Sequence, residues 1–278
     1  MNSESFKTLQ ISIDHSVANV TIDNPPVNVL DIKLMTELRQ VLTVFAENST
    51  IKVIVFDSAN PDFFIAHVDM SLIDEPDAFS ELEKESPAGL NVFQAFGELL
   101  RNQPQVTIIK LKGIARGGGA EFIAAADMSF AAIGQGKLAQ CEALMGIIPG
   151  GGATQYLSSK MGRARALEVI LGAAVFDAVT AERYGWINRA IPADKIDEFI
   201  YTLSHNIASL PEGVISTAKR VIPAKNLYNG YKLENDGWAE LFKIPAAEKL
   251  IRGGIQKGAQ TKAGELKLEE ILRGLSGS

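Results

Sequence analysis

The chain has 278 residues, 46% of them hydrophobic and 22% charged, with a formal net charge of -6. That composition is ordinary for a globular protein able to bury a full core. The acidic balance, with no Lys/Arg-rich run, argues against a nucleic-acid surface, and a single cysteine, Cys141, excludes an intrachain disulfide framework and points to a reducing, cytoplasmic setting. The opening MNSESFKTLQISID lacks the basic and apolar regions of a signal peptide, and no apolar stretch approaches the roughly 20 residues of a spanning helix, so neither export nor a membrane is expected. Three histidines without metal-ligand spacing give no reason to expect a metal.

Two short runs of strand composition come first, Leu9 to Ile13 and Ala18 to Ile22, the second ended by Asp23-Asn24-Pro25-Pro26. Asp31 then has the place of an N-cap. Leu34, Met35, Leu38, Val41, Leu42 and Phe45 follow it at the spacing of one buried helix face. Lys52 to Phe56 (KVIVF) reads as a buried strand. A polar loop with a frayed helix is expected from Asp74 to Pro87. The next helix is expected to take Pro87 in its first turn and run to about Asn102. Val106 to Leu111 is another strand, feeding Gly113 to Gly119 and a helical run from Ala120 to Ala126. A strand from Met128 and a helix from about Ala153 follow. This alternation is that of an α/β protein. It fades after Pro192. From about Ile196 only helices are expected, one starting at Pro211, one over Tyr231 to Phe242 and one over Leu266 to Leu272. A boundary near residue 205 divides an α/β part (1–205) from a helical part (206–278).

Three segments carry possible chemistry. In Gly117-Gly118-Gly119-Ala120-Glu121, a glycine run between strand and helix marks close backbone approach, and a helix starting there offers free N–H groups to developing negative charge. A plain structural turn is the competing reading. The spacing fits neither a dinucleotide fingerprint nor a P-loop. Glu142 stands before an almost wholly apolar stretch, where desolvation raises a carboxyl's pKa into the range of a general acid or base; a solvated turn glutamate is the bland alternative. Cys141 beside it has no nearby histidine and reads as a small buried group rather than a nucleophile. In Phe63 to Met70 a strand end enters a short polar turn, with Asp69 placed to cap the next helix and His67 read as a structural or solvent-facing residue rather than a catalytic one.

Taken together and in order, these segments resemble the enoyl-CoA hydratase/isomerase (crotonase) family. Its patterns F-x-A-G-x-D, G-x-x-x-G-G-G-x-E, P-E-x-x-x-G-x-x-P-G-x-G-x-T-Q and F-D-A-x-x-A-x-x-x-G-x-V-N are matched by Phe64 to Asp69, Gly113 to Glu121, Glu142 to Gln155 and Phe176 to Asn188. The resemblance spans about residues 8 to 192. It implies a spiral of β-β-α units with a C-terminal helical region that packs between subunits, as a homotrimer or dimer of trimers. It implies an acyl-CoA substrate whose thioester carbonyl meets the N–H groups of Val68 and Gly118 as an oxyanion hole. Hydratases of the family use two glutamates, matched by Glu121 (water activation) and Glu142 (proton donor at C2). Val27, Ala66, His67, Asp69, Gly117 and Cys141 are the residues expected around the substrate, with Phe63, Phe64 and the 71–87 loop shaping the acyl pocket. No metal or redox cofactor is implied, since coenzyme A is part of the substrate. Retention of both glutamates favours hydration of a 2-enoyl-CoA; double-bond isomerisation is the nearest alternative, and a non-catalytic acyl-CoA-binding scaffold the alternative of a different class. Two positions depart from the pattern: His67 stands where the family has glycine, and Cys141 where it has proline.

Overall fold

The computed structural model describes residues 6–75 and 77–276. Residues 1–5 of the segment read for a signal peptide, Pro76 of the expected loop, and the last two residues of the helical part lie outside them.

The chain opens with an antiparallel hairpin, β1 (Leu9–Asp14) and β2 (Val17–Ile22), paired from Leu9↔Ile22 to Asp14↔Val17. Helix α1 (Ile32–Ala46) follows. The Asp31 carboxylate accepts from the Leu34 N–H, and the six apolar residues of the periodic stripe are the six that α1 buries. Asp31→Ala removes that cap and is expected to lower stability by about 1 kcal/mol in urea unfolding; an unchanged midpoint would show that α1 is held by packing alone.

From there the chain repeats one unit: a strand in a first sheet, a strand in a second, then helix. β3 (Val53–Ser58) and β4 (Phe63–Ile65) lead to α2 (Ser80–Lys84) and α3 (Val92–Arg101). β5 (Val106–Leu111) and β6 (Ile114–Arg116) lead to α4 (Gly118–Ala125). β7 (Met128–Ala132) and β8 (Lys137–Ala139) lead to α5 (Ala153–Met161) and α6 (Arg163–Gly172). β9 (Phe176–Asp177), α7 (Ala178–Tyr184) and β10 (Arg189–Ile191) close the series. One sheet has the order β1-β2-β3-β5-β7-β10 and the other β4-β6-β8-β9. β3, β5 and β7 pair in parallel, as do β4, β6 and β8, so each unit stacks on the one before it. This is the spiral of β-β-α units expected from the sequence.

The central strands of the first sheet are buried on both faces, which is why KVIVF reads as a continuous apolar run rather than an alternation. Ile54 and Phe56 enter the main core, while Val53 and Val55 pack under α8 (Ile196–Ala208) with Ile196 and Ile200. Phe122 of α4 sits at the centre of the main core. It stacks on Phe96 at 5.3 Å and meets Phe56 edge-on at 5.2 Å. Such burial contributes roughly 1.5–3 kcal/mol per ring and fixes α4, whose eight residues are all buried.

Two helix starts differ from expectation. Pro87 lies in a turn upstream of α3. Asn91 caps that helix instead, in a reciprocal box with Gln94 that satisfies two N-terminal donors. Pro211 likewise precedes α9 (Val214–Val221), which begins three residues later. The division placed near residue 205 falls inside α8. Beyond it come α10 (Tyr228–Phe242), α11 (Pro245–Gln256), α12 (Lys262–Glu265) and α13 (Leu268–Ser276). α11 and α13 fold back onto Met70, Cys141, Leu144 and Met145. α9 buries none of its residues, and Val221, Ile222 and Leu233 stand exposed. Among the described residues no helix is long and apolar enough to cross a membrane.

Candidate active site

The glycine run is explained by what lies against each member. A Cβ on Gly117 would stand 2.8 Å from Glu142 Oε1, one on Gly118 2.6 Å from Val68 Cγ2, and one on Gly119 2.5 Å from the Ile65 carbonyl oxygen. Gly117 also has φ +48°, a conformation that L side chains avoid. The three glycines thus let the first turn of α4 lie directly on the end of β4 and beside Glu142. Gly118 opens the helix, so its N–H has no partner within it. Val68 faces Leu30 in a parallel bridge, in which the Leu30 N–H donates to the His67 carbonyl and the Asp69 N–H to the Leu30 carbonyl. The Val68 N–H is therefore turned to the other side of the strand. Among the described residues, neither the Val68 nor the Gly118 N–H meets a protein acceptor.

Glu121 occupies the first turn of α4. Its Oε1 accepts from the N–H groups of Gly151 (2.8 Å) and Ala153 (3.1 Å) at the start of α5. A second buried carboxylate, Glu234 of α10, takes the alternate amides, Gly152 (2.7 Å) and Thr154 (3.1 Å), together with the Thr154 hydroxyl and the Gln94 side chain. Burial pushes the Glu121 carboxyl well above the usual range, and the charges of Glu142 and Glu234 add to this against the pull of the two amides.

Glu142 opens the 3-10 turn Glu142–Met145 and is 8% exposed. With its amide nitrogen turned inward, Gln140 donates to both carboxyl oxygens at 3.0–3.1 Å. Burial raises this carboxyl from its ordinary value near 4.5 to about 7, while nearby amides and the His67 charge oppose the rise. An apolar crevice lined by Leu30, Phe93, Phe96, Gly118, Glu121 and Gly151 reaches the first carboxyl.

These shifts make a stability prediction. A carboxyl whose folded pKa exceeds its unfolded value stabilises the fold fully below about pH 4.5 and loses that contribution as pH rises through about 7. The displacement corresponds to about 3 kcal/mol. Glu142→Gln is therefore expected to melt roughly 5 °C or more above the wild type at pH 8.5, with the gap closing at pH 5. Equal melting temperatures at pH 8.5 would contradict the burial of an ionising group there.

The other expected positions divide clearly. Val27 and Ala66 come together, both fully buried beside Phe63 and Ile114. Asn28 fastens the turn that carries Val27 to β4, its side chain donating to the Phe63 and Phe64 carbonyls and its own carbonyl accepting from the Ala66 N–H. Asp69 caps the 3-10 turn Met70–Asp74 and accepts from Gln260. Cys141 packs wholly among Met70, Leu144, Leu268 and Leu272, and burial pushes its thiol up. Both nitrogens of the buried His67 ring are occupied within the protein, by the Val68 carbonyl and by Glu265. Phe63 and Phe64 are fully buried in the core, and the aromatic walls of the crevice come from α3 and α4.

Sequence reasoning missed Glu234, Glu265, Arg116 and Gln140. Glu234 had a signal: it stands at i, i+3, i+7 spacing with Tyr231 and Trp238, a carboxylate inside an aromatic stripe. Asp14, His15 and His205 do gather, with ligand atoms within 4.8 Å of one another. They lie at the β1–β2 turn and on α8, where Asp14 already bonds both rings.

The enoyl-CoA hydratase/isomerase family model matches residues 12–261. The chain is 28% identical over 245 residues to a "Probable enoyl-CoA hydratase" of Rhizobium meliloti, covering 86% of this chain and 91% of that one. It is 27% identical over 252 residues to the "Carnitinyl-CoA dehydratase" of Proteus mirabilis, covering 89% and 94%. The crystal structure of a "putative enoyl-CoA hydratase" from Streptomyces avermitilis superposes with a TM-score of 0.97 at 57% identity, covering 99% and 100%. With that match over most of its length, the β-β-α spiral and the glycine-led helix against β4, this chain belongs to the enoyl-CoA hydratase/isomerase family.

Proposed function

We propose that the chain hydrates a 2-enoyl-CoA to the 3-hydroxyacyl-CoA. The observation that carries this is a pair of buried carboxyls near enough to act on one another, both raised in pKa, with Glu142 against Gly117 and Glu121 lining one crevice with Gly118. Environments that lift carboxyls toward neutrality suit acid–base work at cellular pH.

In this reading the thioester oxygen lies on the Val68 and Gly118 N–H groups. As hydroxide adds at C3, electron density moves through C2 to that oxygen, and the two donors stabilise the enolate. Each such donor is typically worth about 2.7–4 kcal/mol in the transition state. Glu121 takes the proton of the water that attacks C3, and Glu142 delivers a proton to C2. One proton is accepted and one given, so the pair needs only to exchange protons with solvent before the next cycle. The coenzyme A portion, as part of the substrate, is held by backbone groups of the turn carrying Val27 and the strand end at Ala66. The exposed apolar side chains of the C-terminal helices support assembly as a trimer or a dimer of trimers.

Mixing the protein with crotonyl-CoA is expected to abolish the absorbance of the conjugated thioester and to add the mass of one water. Conversion of a 3-enoyl-CoA with crotonyl-CoA untouched would overturn hydration in favour of isomerisation. Tight binding of both without turnover would overturn catalysis altogether.

A further inference from the structure

We propose that His67 is a positioning residue for Glu142: its ring, clasped between Glu265 of α12 and the Val68 carbonyl, sets a fixed positive charge beside that carboxyl and fastens the C-terminal helices to the segment bearing the Val68 amide. The inference rests on the reading of Glu142 as an acid.

The charge follows from geometry. His67 Nδ1 lies 2.6 Å from the Val68 carbonyl oxygen, and Nε2 lies 2.8 Å from Glu265 Oε1. Both oxygens are acceptors. A neutral imidazole has one N–H, whereas this arrangement calls for two, which only the imidazolium supplies. Glu265 has no proton to lend. Its Oε1 also accepts from the Gln260 N–H at 2.7 Å, and its Oε2 accepts from Arg116 at 3.2 Å. Arg116 in turn is bound by Glu269 through Nε and Nη2.

The charged groups around His67 come from several elements: Arg116 from β6, Glu142 from the 3-10 turn, Glu265 from α12, and Glu269 from α13 behind Arg116. Glu265 and Glu269 carry two negative charges against one on Arg116, and an imidazolium balances the cluster that these four hydrogen-bonded groups form. A neutral ring has one N–H and would leave either the fully buried Glu265 carboxylate or the Val68 carbonyl facing a bare ring nitrogen, and buried acceptors set against lone pairs are costly. Desolvation alone would favour the neutral ring, but the bond to Glu265 and its charge outweigh this and hold the His67 pKa up.

His67 and Glu142 flank the same glycine. A Cβ on Gly117 would meet Glu142 Oε1 at 2.8 Å and His67 Cβ at 3.8 Å. A positive charge there favours the ionised form of Glu142 and so works against the effect of burial. A glycine at this position has no ring to do so. The sign is then fixed: removing the charge moves the ionisation of Glu142 to higher pH, and an acid that must be protonated stays active to higher pH.

The test is the pH profile of kcat/KM for crotonyl-CoA in the wild type, His67→Gln and Glu265→Gln, with the ring protons of His67 followed by NMR in the wild type. Both variants are expected to move the alkaline limb upward by about half a pH unit or more, and the His67 ring is expected to stay protonated to higher pH than a free imidazole. A folded His67→Gln enzyme with an unmoved alkaline limb would overturn the proposal, because a purely structural role changes stability and leaves the limb in place. If His67→Gln fails to fold, the wild-type titration decides: a ring that is neutral at pH 7 overturns the proposal and a protonated one supports it. A wild type inert toward crotonyl-CoA would defeat the hydratase reading, while the ring titration would still decide the charge on His67.

Discussion

Glu142→Gln and Glu121→Gln are each expected to lower crotonyl-CoA hydration by about two orders of magnitude or more, the range that positioned acid–base groups supply. The two substitutions are well suited to the test because neither dismantles the site. Both amides that bind Glu121 go to the same oxygen, Oε1, which a glutamine oxygen replaces while its nitrogen takes the place of Oε2. Gln140 faces Glu142 from the adjoining strand end and turns its amide to suit either neighbour. Folding is therefore retained, and the loss is read in kcat with little change in KM, as for groups whose work is confined to the transition state. Wild-type rates in both variants would remove the carboxyls from the mechanism. A loss in only one would assign both proton transfers to the acid replaced in that variant. The measurement is steady-state absorbance of the conjugated thioester, with each variant's fold checked by thermal melting.

Gly118→Ala is expected to cost about 100-fold, comparable to losing one oxyanion donor. The new methyl would sit 2.6 Å from Val68 Cγ2, and a contact that short must be relieved by pushing the two amide-bearing segments apart. The same geometry names its own rescue. The Val68 Cβ lies 4.0 Å from the added carbon, ordinary contact distance, so Val68→Ala makes room while keeping both N–H groups. The double variant is expected to recover most of the activity, a large coupling between two residues in contact. If Gly118→Ala is as active as wild type, the amides do not need their present separation. If the double variant is no better than Gly118→Ala alone, the damage lies in the helix start rather than in the clash.

What the sequence made legible, and what it did not, follows from range. The α1 stripe, the Asp31 cap and the apolar central strands are set by local spacing and by burial on both sheet faces, and each is found where it was read. The starts of α3 and α9 were misplaced because proline tolerates a helix's first turn without requiring it. At α3 the Asn91–Gln94 box outweighs Pro87. The short strands β6, β8 and β9 have two or three residues each and no periodicity to detect; they exist because successive units stack. In the site, the glycine run announced close approach but not its partners. That Gly117 faces Glu142, Gly118 faces Val68 and Gly119 faces Ile65 is a consequence of the spiral. Glu234 and Glu265 escaped for the same reason. They come from the C-terminal helices, 80 to 198 residues away in sequence from the site residues they meet.

The carbonyl stretch of an enoyl thioester bound to Glu121→Gln, isolated by carbon-13 labelling and infrared difference spectroscopy, reports directly whether two amides hold the oxygen of a substrate that does not turn over. The geometry predicts a band at lower frequency than in water, with the displacement reduced when Gly118→Ala is added. A bound thioester whose carbonyl absorbs where it does in water, with or without that second substitution, would contradict it.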